Sequence, residues 1–227
     1  MFGGNKMPKV TDEYLETKRN FILDCVAKVY EEKPLYQVTM RDVIQKTGFS
    51  QGNIYRYYDS LDEICVALVN RYTPDGVLEK VINDIFDSGA SPAEKLEKSL
   101  MALGHYMKEL HQAIGARMYF HLLVHASVNF KNWETLAGKL KFKLSIDWAK
   151  EKMIKYLFEN LENGEFEPII PVDSILMFIN VSFDGIADDA ALFGMQGDKP
   201  DLLAFDISEM FSVLTKAVIH FLKPKKL

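Results

Sequence analysis

Apolar residues recur three and four positions apart through most of this chain, and nowhere do apolar and polar residues alternate over the length of a strand. That spacing predicts an all-α protein. Between positions 14 and 32, Leu15, Ile22, Leu23, Val26, Val29 and Tyr30 share one helical face, and Pro34 stops the helix. Local capping chemistry then specifies three helix starts in quick succession. Thr39 with Asp42 opens "MRDVIQKT", which Gly48 ends; Ser50 opens "QGNIYRYY"; Ser60 with Glu63 forms a capping box for "LDEICVALVNRYT".

Pro74, Asp75 and Gly76 punctuate the chain, and the helices beyond them are longer. They read as "GVLEKVINDIFDS", then "SPAEKLEKSLMALGHYMKEL" with Ser91, Pro92 and Glu94 at its start, then "AIGARMYFHLLVHASVNF". A long helix is expected over about 133–163, closed by Gly164. After the "GEFEPIIP" loop come two apolar helices, 173–193 and 202–222, the last followed by Lys223, Lys225 and Lys226, which complement its dipole. The pattern divides the chain into a small helix-turn-helix domain, 11–60, and a larger helical domain, 61–223.

The stretch from Thr39 to Tyr58 has the form of a helix-turn-helix. Val43 and Ile44 face inward, Phe49 plugs the turn, and Ile54 packs the second helix on the first. Gln51, Gly52, Asn53, Tyr55, Arg56 and Tyr57 are left to face outward. A helix fits the major groove, where its N-terminal residues reach base edges. Gly52 permits close approach of the backbone to a phosphate. Tyr55 and Tyr57 offer a hydroxyl to phosphate and a ring face to a thymine methyl, and Arg56 has the geometry to read guanine through two bonds. The residues alone leave a second reading open, because short helices across a glycine turn also occur in helical cores, where tyrosines are packing.

Charge narrows how nucleic acid could be held. The formal net charge is −5. Residues 1–72 carry 10 Lys and Arg against 10 Asp and Glu, and residues 73–227 carry 17 against 22. The first third is neutral and not basic, so a few placed charges would have to do the work of a broad positive field.

From Lys18 to Leu68 the chain resembles the DNA-binding domain of the TetR family of one-component transcriptional repressors, through "RNFILDCVAKVYEEKPLYQVTMRDVIQKTGFSQGNIYRYYDSLDEICVAL". The family pattern "aGvskgtlYhhFpsKeeLl" is met by Gly48, Ser50, Gly52, Ile54, Tyr55, Tyr58, Ser60, Glu63 and Ile64 without a gap. Two frequent family lysines are replaced, one by Gln51 and one by Leu61. The resemblance implies a double-stranded DNA operator as partner, with Thr39, Arg41, Lys46, Ser50, Gln51, Gly52, Asn53, Tyr55, Arg56 and Tyr57 at the contact and Lys6, Lys9, Lys18 and Arg19 as further backbone candidates. The two losses imply a shallow salt dependence. The phosphates left without lysines fall to Tyr55 and to backbone N–H groups at the Ser50 helix start.

The resemblance also implies that the larger domain dimerises and binds a small-molecule effector of unknown identity, which releases a palindromic operator. The last two helices carry apolar faces suited to a four-helix interface between two copies, or to the core of one, and Ile175, Phe178, Leu203, Ile207, Phe211, Leu214 and Val218 are the interface candidates. A Met- and aromatic-rich middle suggests an apolar ligand site with Met101, His105, Tyr106, Met118, Tyr119, His121, Trp148, Phe183 and Asp184, although such a stripe is also ordinary core. Asp184, Asp188 and Asp189 cluster near it, a cation or amine site or a solvated face. His121 and His125, four apart, could hold a metal with His105 and a carboxylate, but such pairs are more often hydrogen-bonded core or surface residues, and no metal is expected.

Several classes are disfavoured by what is missing. No run of 18 apolar residues exists, so no membrane helix is expected. The N-terminal residues have no signal-peptide core, and Cys25 and Cys65 have no CxxC partner, which suits reduced thiols in the cytoplasm. No phosphate-binding glycine loop, HExxH or GxSxG is present, so neither an enzyme nor a cofactor is expected. The remaining alternatives are a helical scaffold whose helix-turn-helix is structural, and a metal-binding helical-bundle enzyme.

Overall fold

The computed structural model describes residues 11–33, 37–114, 118, 130–194 and 206–225. Among them the regular structure is helical, with one antiparallel bridge between Phe166 and Pro224. The chain forms two compact units, one ending at Leu68 and the other beginning at Val69.

In the first unit α1 (Asp12–Glu32) starts at Thr11, whose side chain accepts the Tyr14 N–H at 3.3 Å. Helix α2 (Met40–Thr47) has both halves of its capping box. Asp42 N–H donates to Thr39 Oγ1 at 3.3 Å, and Thr39 N–H donates to the Asp42 carboxylate at 2.8 Å. The Lys33 ammonium and the Thr39 donors together hold that carboxyl down at about 2. Helix α3 is Gln51–Tyr55 and α4 is Leu61–Tyr72. The Ser60 hydroxyl caps α4 through the Glu63 N–H at 3.2 Å, and the Glu63 carboxylate accepts from Asp59 N–H at 3.1 Å.

Ile22, Val26, Val43, Ile54 and Ile64 are wholly buried and form the centre of this unit. Ile64, Cys65 and Leu68 of α4 belong to the same core, which moves the division from position 60 to position 68. Capping marks where a helix starts; burial decides which unit its first turns join. Burial also pushes the Cys65 thiol up to about 12, and both cysteines are free, with Cys25 half-buried.

The second unit holds α5 (Val77–Asp87), α6 (Pro92–Ile114), α7 (Phe130–Ala137), α8 (Lys141–Glu162), α9 (Val172–Gly194) and α10 (Ile207–Leu222). Helix α6 is central and packs on α5, α8, α9 and α10. Its start is the expected Ser91–Glu94 box. The single helix expected over 133–163 is two helices. The chain turns at Gly138, and α8 has no cap of its own. Asn70 supplies one from far along the chain, accepting the Lys141 N–H at 2.9 Å and donating to the Lys139 carbonyl at 2.8 Å. The last helix starts at Ile207 and not near 202, because Asp206 caps it through the Ser208 N–H at 2.7 Å. Residues 165–169 run beside 221–225, joined by backbone bonds such as Ile169 N–H to Phe221 O at 2.9 Å.

Candidate functional site

Helices α2 and α3 are joined by a turn whose geometry depends on Gly48, at φ 69° and ψ 10°. Side chains rarely adopt that conformation, so glycine ends α2 here. Phe49 then turns inward and stacks on Phe21 of α1 with ring centres 5.4 Å apart. The Ser50 hydroxyl accepts the Asn53 N–H at 3.3 Å and fixes the start of α3. Ile54 is wholly buried. The register of these three residues leaves Gln51, Gly52, Tyr55 and Arg56 on the exposed side of the turn and helix, with Asn53 half-buried. Gly52 borders open space, since a Cβ there would meet no atom within 4 Å.

One expected contact residue is corrected. Tyr57 is 8% exposed and belongs to the core, as does Tyr58. The helix expected to run through "QGNIYRYY" ends at Tyr55, and the Tyr57 N–H bonds back to Ile54 O at 2.9 Å. Three and four residues after buried Ile54, Tyr57 and Tyr58 share its face of the turn.

The cations of this unit are partly committed. Lys46 Nζ is held by Glu32, and Lys33 Nζ by Asp42 at 2.7 Å. Lys18 Nζ sits 5.3 Å from the Tyr14 ring centre and 5.5 Å from that of Phe49, beside the turn, and Arg19 stands over Tyr58. Thr39 and Arg41 are exposed, while Lys6 and Lys9 lie outside the described residues. Leu61, where the family pattern has lysine, is half-buried. Glu32→Gln is therefore expected to strengthen DNA binding and to steepen its salt dependence by about one phosphate contact, because it frees Lys46. Titrating binding against salt for both proteins checks this, and an unchanged slope would remove Lys46 from the contact.

The effector candidates scatter. Met101, His105 and Asp184 are exposed, and His105 pairs with Glu109 at 3.2 Å. Tyr106 and Phe183 are buried, Met118 is half-buried, and half-buried Trp148 has Lys152 Nζ 5.3 Å from its ring. Tyr119, His121 and His125 lie outside the described residues. None of the described candidates lines the cavity between α6, α8, α9 and α10, whose wall is aliphatic and includes Lys150 and Asn180. Of the described candidates Tyr106 and Phe183 are core, and Phe183 packs edge-on to Phe211 at 5.6 Å. Asp184, Asp188 and Asp189 are exposed, and among the described residues no three His, Cys, Asp or Glu gather as a metal site.

The interface candidates are also corrected. Ile175, Ile207, Phe211, Leu214 and Val218 are each at most 9% exposed within one chain, so they are core; Phe178 is 40% exposed, and Leu203 lies outside the described residues. Besides Phe178, the exposed apolar residues of these helices include Met177, Val181 and Leu192 on α9 and Met210 and Val213 on α10. Their signal was present in the sequence, since the run from Leu176 to Val181 is too continuously apolar for a helix with one buried face.

A glycine turn between two capped helices, with a polar, aromatic and arginine-bearing face turned outward from a buried core, defines a helix-turn-helix DNA-binding protein. Residues 22–68 match the model of the family described as bacterial regulatory proteins, tetR family. The match places a tetR-family DNA-binding domain at residues 22–68, and the chain is a DNA-binding transcriptional regulator. It is 26% identical over 198 residues to the HTH-type transcriptional regulator YfiR of Bacillus subtilis, covering 82% of this chain and 86% of that one. It is 24% identical over 168 residues to the HTH-type transcriptional repressor KstR2 of Mycobacterium tuberculosis, covering 73% and 77%. Among solved structures, a TetR-family regulator from Cytophaga hutchinsonii shares the fold with a TM-score of 0.57 at 16% identity, over 96% of this chain and all of that one.

Proposed function

We propose that the chain is a homodimeric repressor in the cytoplasm that occupies a palindromic operator and leaves it when a small molecule fills the C-terminal unit. The observation that carries the DNA half is the outward set Gln51, Gly52, Tyr55 and Arg56, presented by a turn that Gly48 and Phe49 fix. Arg56 is the base reader in this arrangement; Tyr55 meets the phosphate backbone. Repression follows the KstR2 relative, which is described as a repressor. No helix among the described residues is long and apolar enough to cross a membrane, in keeping with a partner that is DNA.

Dimerisation is supported by the apolar side chains that α9 and α10 leave in solvent. Met177 and Val181 are each 68% exposed, and Val213 is 56% exposed. Side chains of this kind on two packed helices suit an isologous four-helix contact with a second copy. A two-fold dimer places two recognition helices about one turn of DNA apart, which is why the operator would be an inverted repeat. Release needs only a ligand that prefers a head spacing unsuited to adjacent major grooves by about 1–3 kcal/mol. Helix α4 contributes residues to both units along the chain and is the covalent route for that coupling.

Selection of DNA from a random pool by the purified protein, followed by titration on the winner, tests the reading. An inverted repeat is expected. Arg56→Ala is expected to cost about 1–3 kcal/mol and to relax preference at one base position in each half-site, whereas Tyr55→Ala weakens binding on all sequences alike. Uniform loss for Arg56→Ala would remove its base-reading role. No enrichment by the wild-type protein would favour a structural helix-turn-helix instead.

A further inference from the structure

Helices α6, α8, α9 and α10 enclose a cavity of about 50 Å³ whose wall is aliphatic except at Lys150 and Asn180. No aromatic ring lines it. The space exceeds the roughly 10–15 Å³ that one water needs, yet a water also needs two to four polar partners, which this wall supplies only at Lys150 and Asn180. Along α8 the lining residues Lys150, Met153, Ile154 and Leu157 follow one another. At about 1.5 Å per residue that run is about 10 Å long, with the positive charge at one end.

The polar end is at the surface. Asn180 is exposed, and Lys150 Nζ donates to its Oδ1 at 3.3 Å. The same ammonium stands 4.1 Å from the Phe183 ring centre. Among the described residues no carboxylate is within ion-pair distance of it, although Asp184 and Asp147 act from farther away, and burial lowers its pKa. An ammonium that has lost part of its water and keeps spare donors gains most from an anion that brings its own charge to the cavity mouth.

We propose that this cavity is the effector site and takes an unbranched aliphatic monocarboxylate, its chain inward and its carboxylate on Lys150 Nζ and the Asn180 amide. The proposal rests on the ligand-released reading above. A straight chain is the narrowest apolar ligand, so it displaces the fewest leucine side chains from a cavity this small. Rings would need flat walls or stacking partners, and the wall has neither. A cationic head would meet Lys150 with like charge.

Calorimetric titration of the full chain with straight-chain saturated carboxylates, and with alkanols, alkylamines and alkyl sulfates of matched length, tests it. Affinity is expected to rise about fourfold per methylene until the cavity is full, and then to level off. Carboxylates are expected to exceed alkanols by about tenfold or more, the worth of a hydrogen bond to a charged group. Lys150→Gln is expected to abolish that preference while alkanol affinity stays, and Lys150→Arg to restore it. Leu157→Phe, which keeps the charge, is expected to shorten the longest chain accepted. Flat titrations, equal affinity for alkanol and carboxylate, tighter binding of amines or sulfates, or a preference that survives Lys150→Gln would each overturn the proposal. Carboxylate binding that leaves operator occupancy unchanged would overturn the effector role. Failure of the protein to bind any operator sinks the regulatory reading while the titrations still stand or fall on their own.

Discussion

Gly104→Val is expected to unfold the C-terminal unit, and even Gly104→Ala to weaken it markedly. A Cβ at this position would lie 2.6 Å from Phe211 Cβ and 2.9 Å from its Cδ1, closer than carbon atoms approach without displacement. Phe211 cannot give way cheaply. It is wholly buried, and it is held edge-on by Phe183 at 5.6 Å with the rings at 90°. Helix α6 and helix α10 must therefore separate, and their contact is the most extensive between any two helices among the described residues. Overpacking of a tight core costs about 1–3 kcal/mol for a small addition, and a branched side chain adds to that. Thermal and urea unfolding of the single variants and of Gly104→Ala with Phe211→Ala, which removes Cγ and the ring, measure the coupling. The cost of the added methyl is expected to shrink by about 1 kcal/mol or more when the ring is removed. Additive costs would mean that the two side chains do not compete for the same space.

Val181→Glu is expected to turn the proposed dimer into monomers without harming the fold of either unit. Val181 is 68% exposed in the single chain, so glutamate there stays hydrated and costs the monomer little. Across an isologous contact the same substitution appears twice, and both carboxylates would have to be buried or would repel. Sedimentation at micromolar concentration is expected to give the 26.0 kDa chain mass in place of twice that value. Operator affinity is expected to fall by about a hundredfold or more, because the second half-site is then no longer held by linkage to the first. A variant that remains dimeric and operator-bound would show that copies meet elsewhere.

What could be read from the sequence was whatever neighbouring residues decide among themselves. The boxes Thr39–Asp42 and Ser91–Glu94 close within three residues, and the Ser50 cap does the same, so their helix starts were legible. The inward Val43 and Ile54 and the outward Gln51, Tyr55 and Arg56 follow from helical spacing across a turn that Gly48 defines. Tyr57 was misplaced although it stands three residues after buried Ile54, where helical spacing puts both on one face, and its N–H bonds back to Ile54 O. The break before α8 was hidden for another reason: Asn70, which caps it, is 71 residues from Lys141.

The last two helices show the limit most clearly. A helix apolar on several faces must bury one of them, and composition cannot say whether its own chain or a second copy covers a given face. Packing against α6 took Phe211, Leu214 and Val218 into the core and left Met210 and Val213 in water. The cavity belongs to the same category, because four helices from distant stretches must meet before Lys150 and Asn180 face one aliphatic space. The sequence by itself determined the helical class, the capped helix-turn-helix and its outward face, since local backbone bonding and 3.6-residue periodicity require no distant partner. Only the tertiary structure decided which apolar face is core, which is left exposed and where the cavity lies, because those depend on side chains brought together from distant parts of the chain.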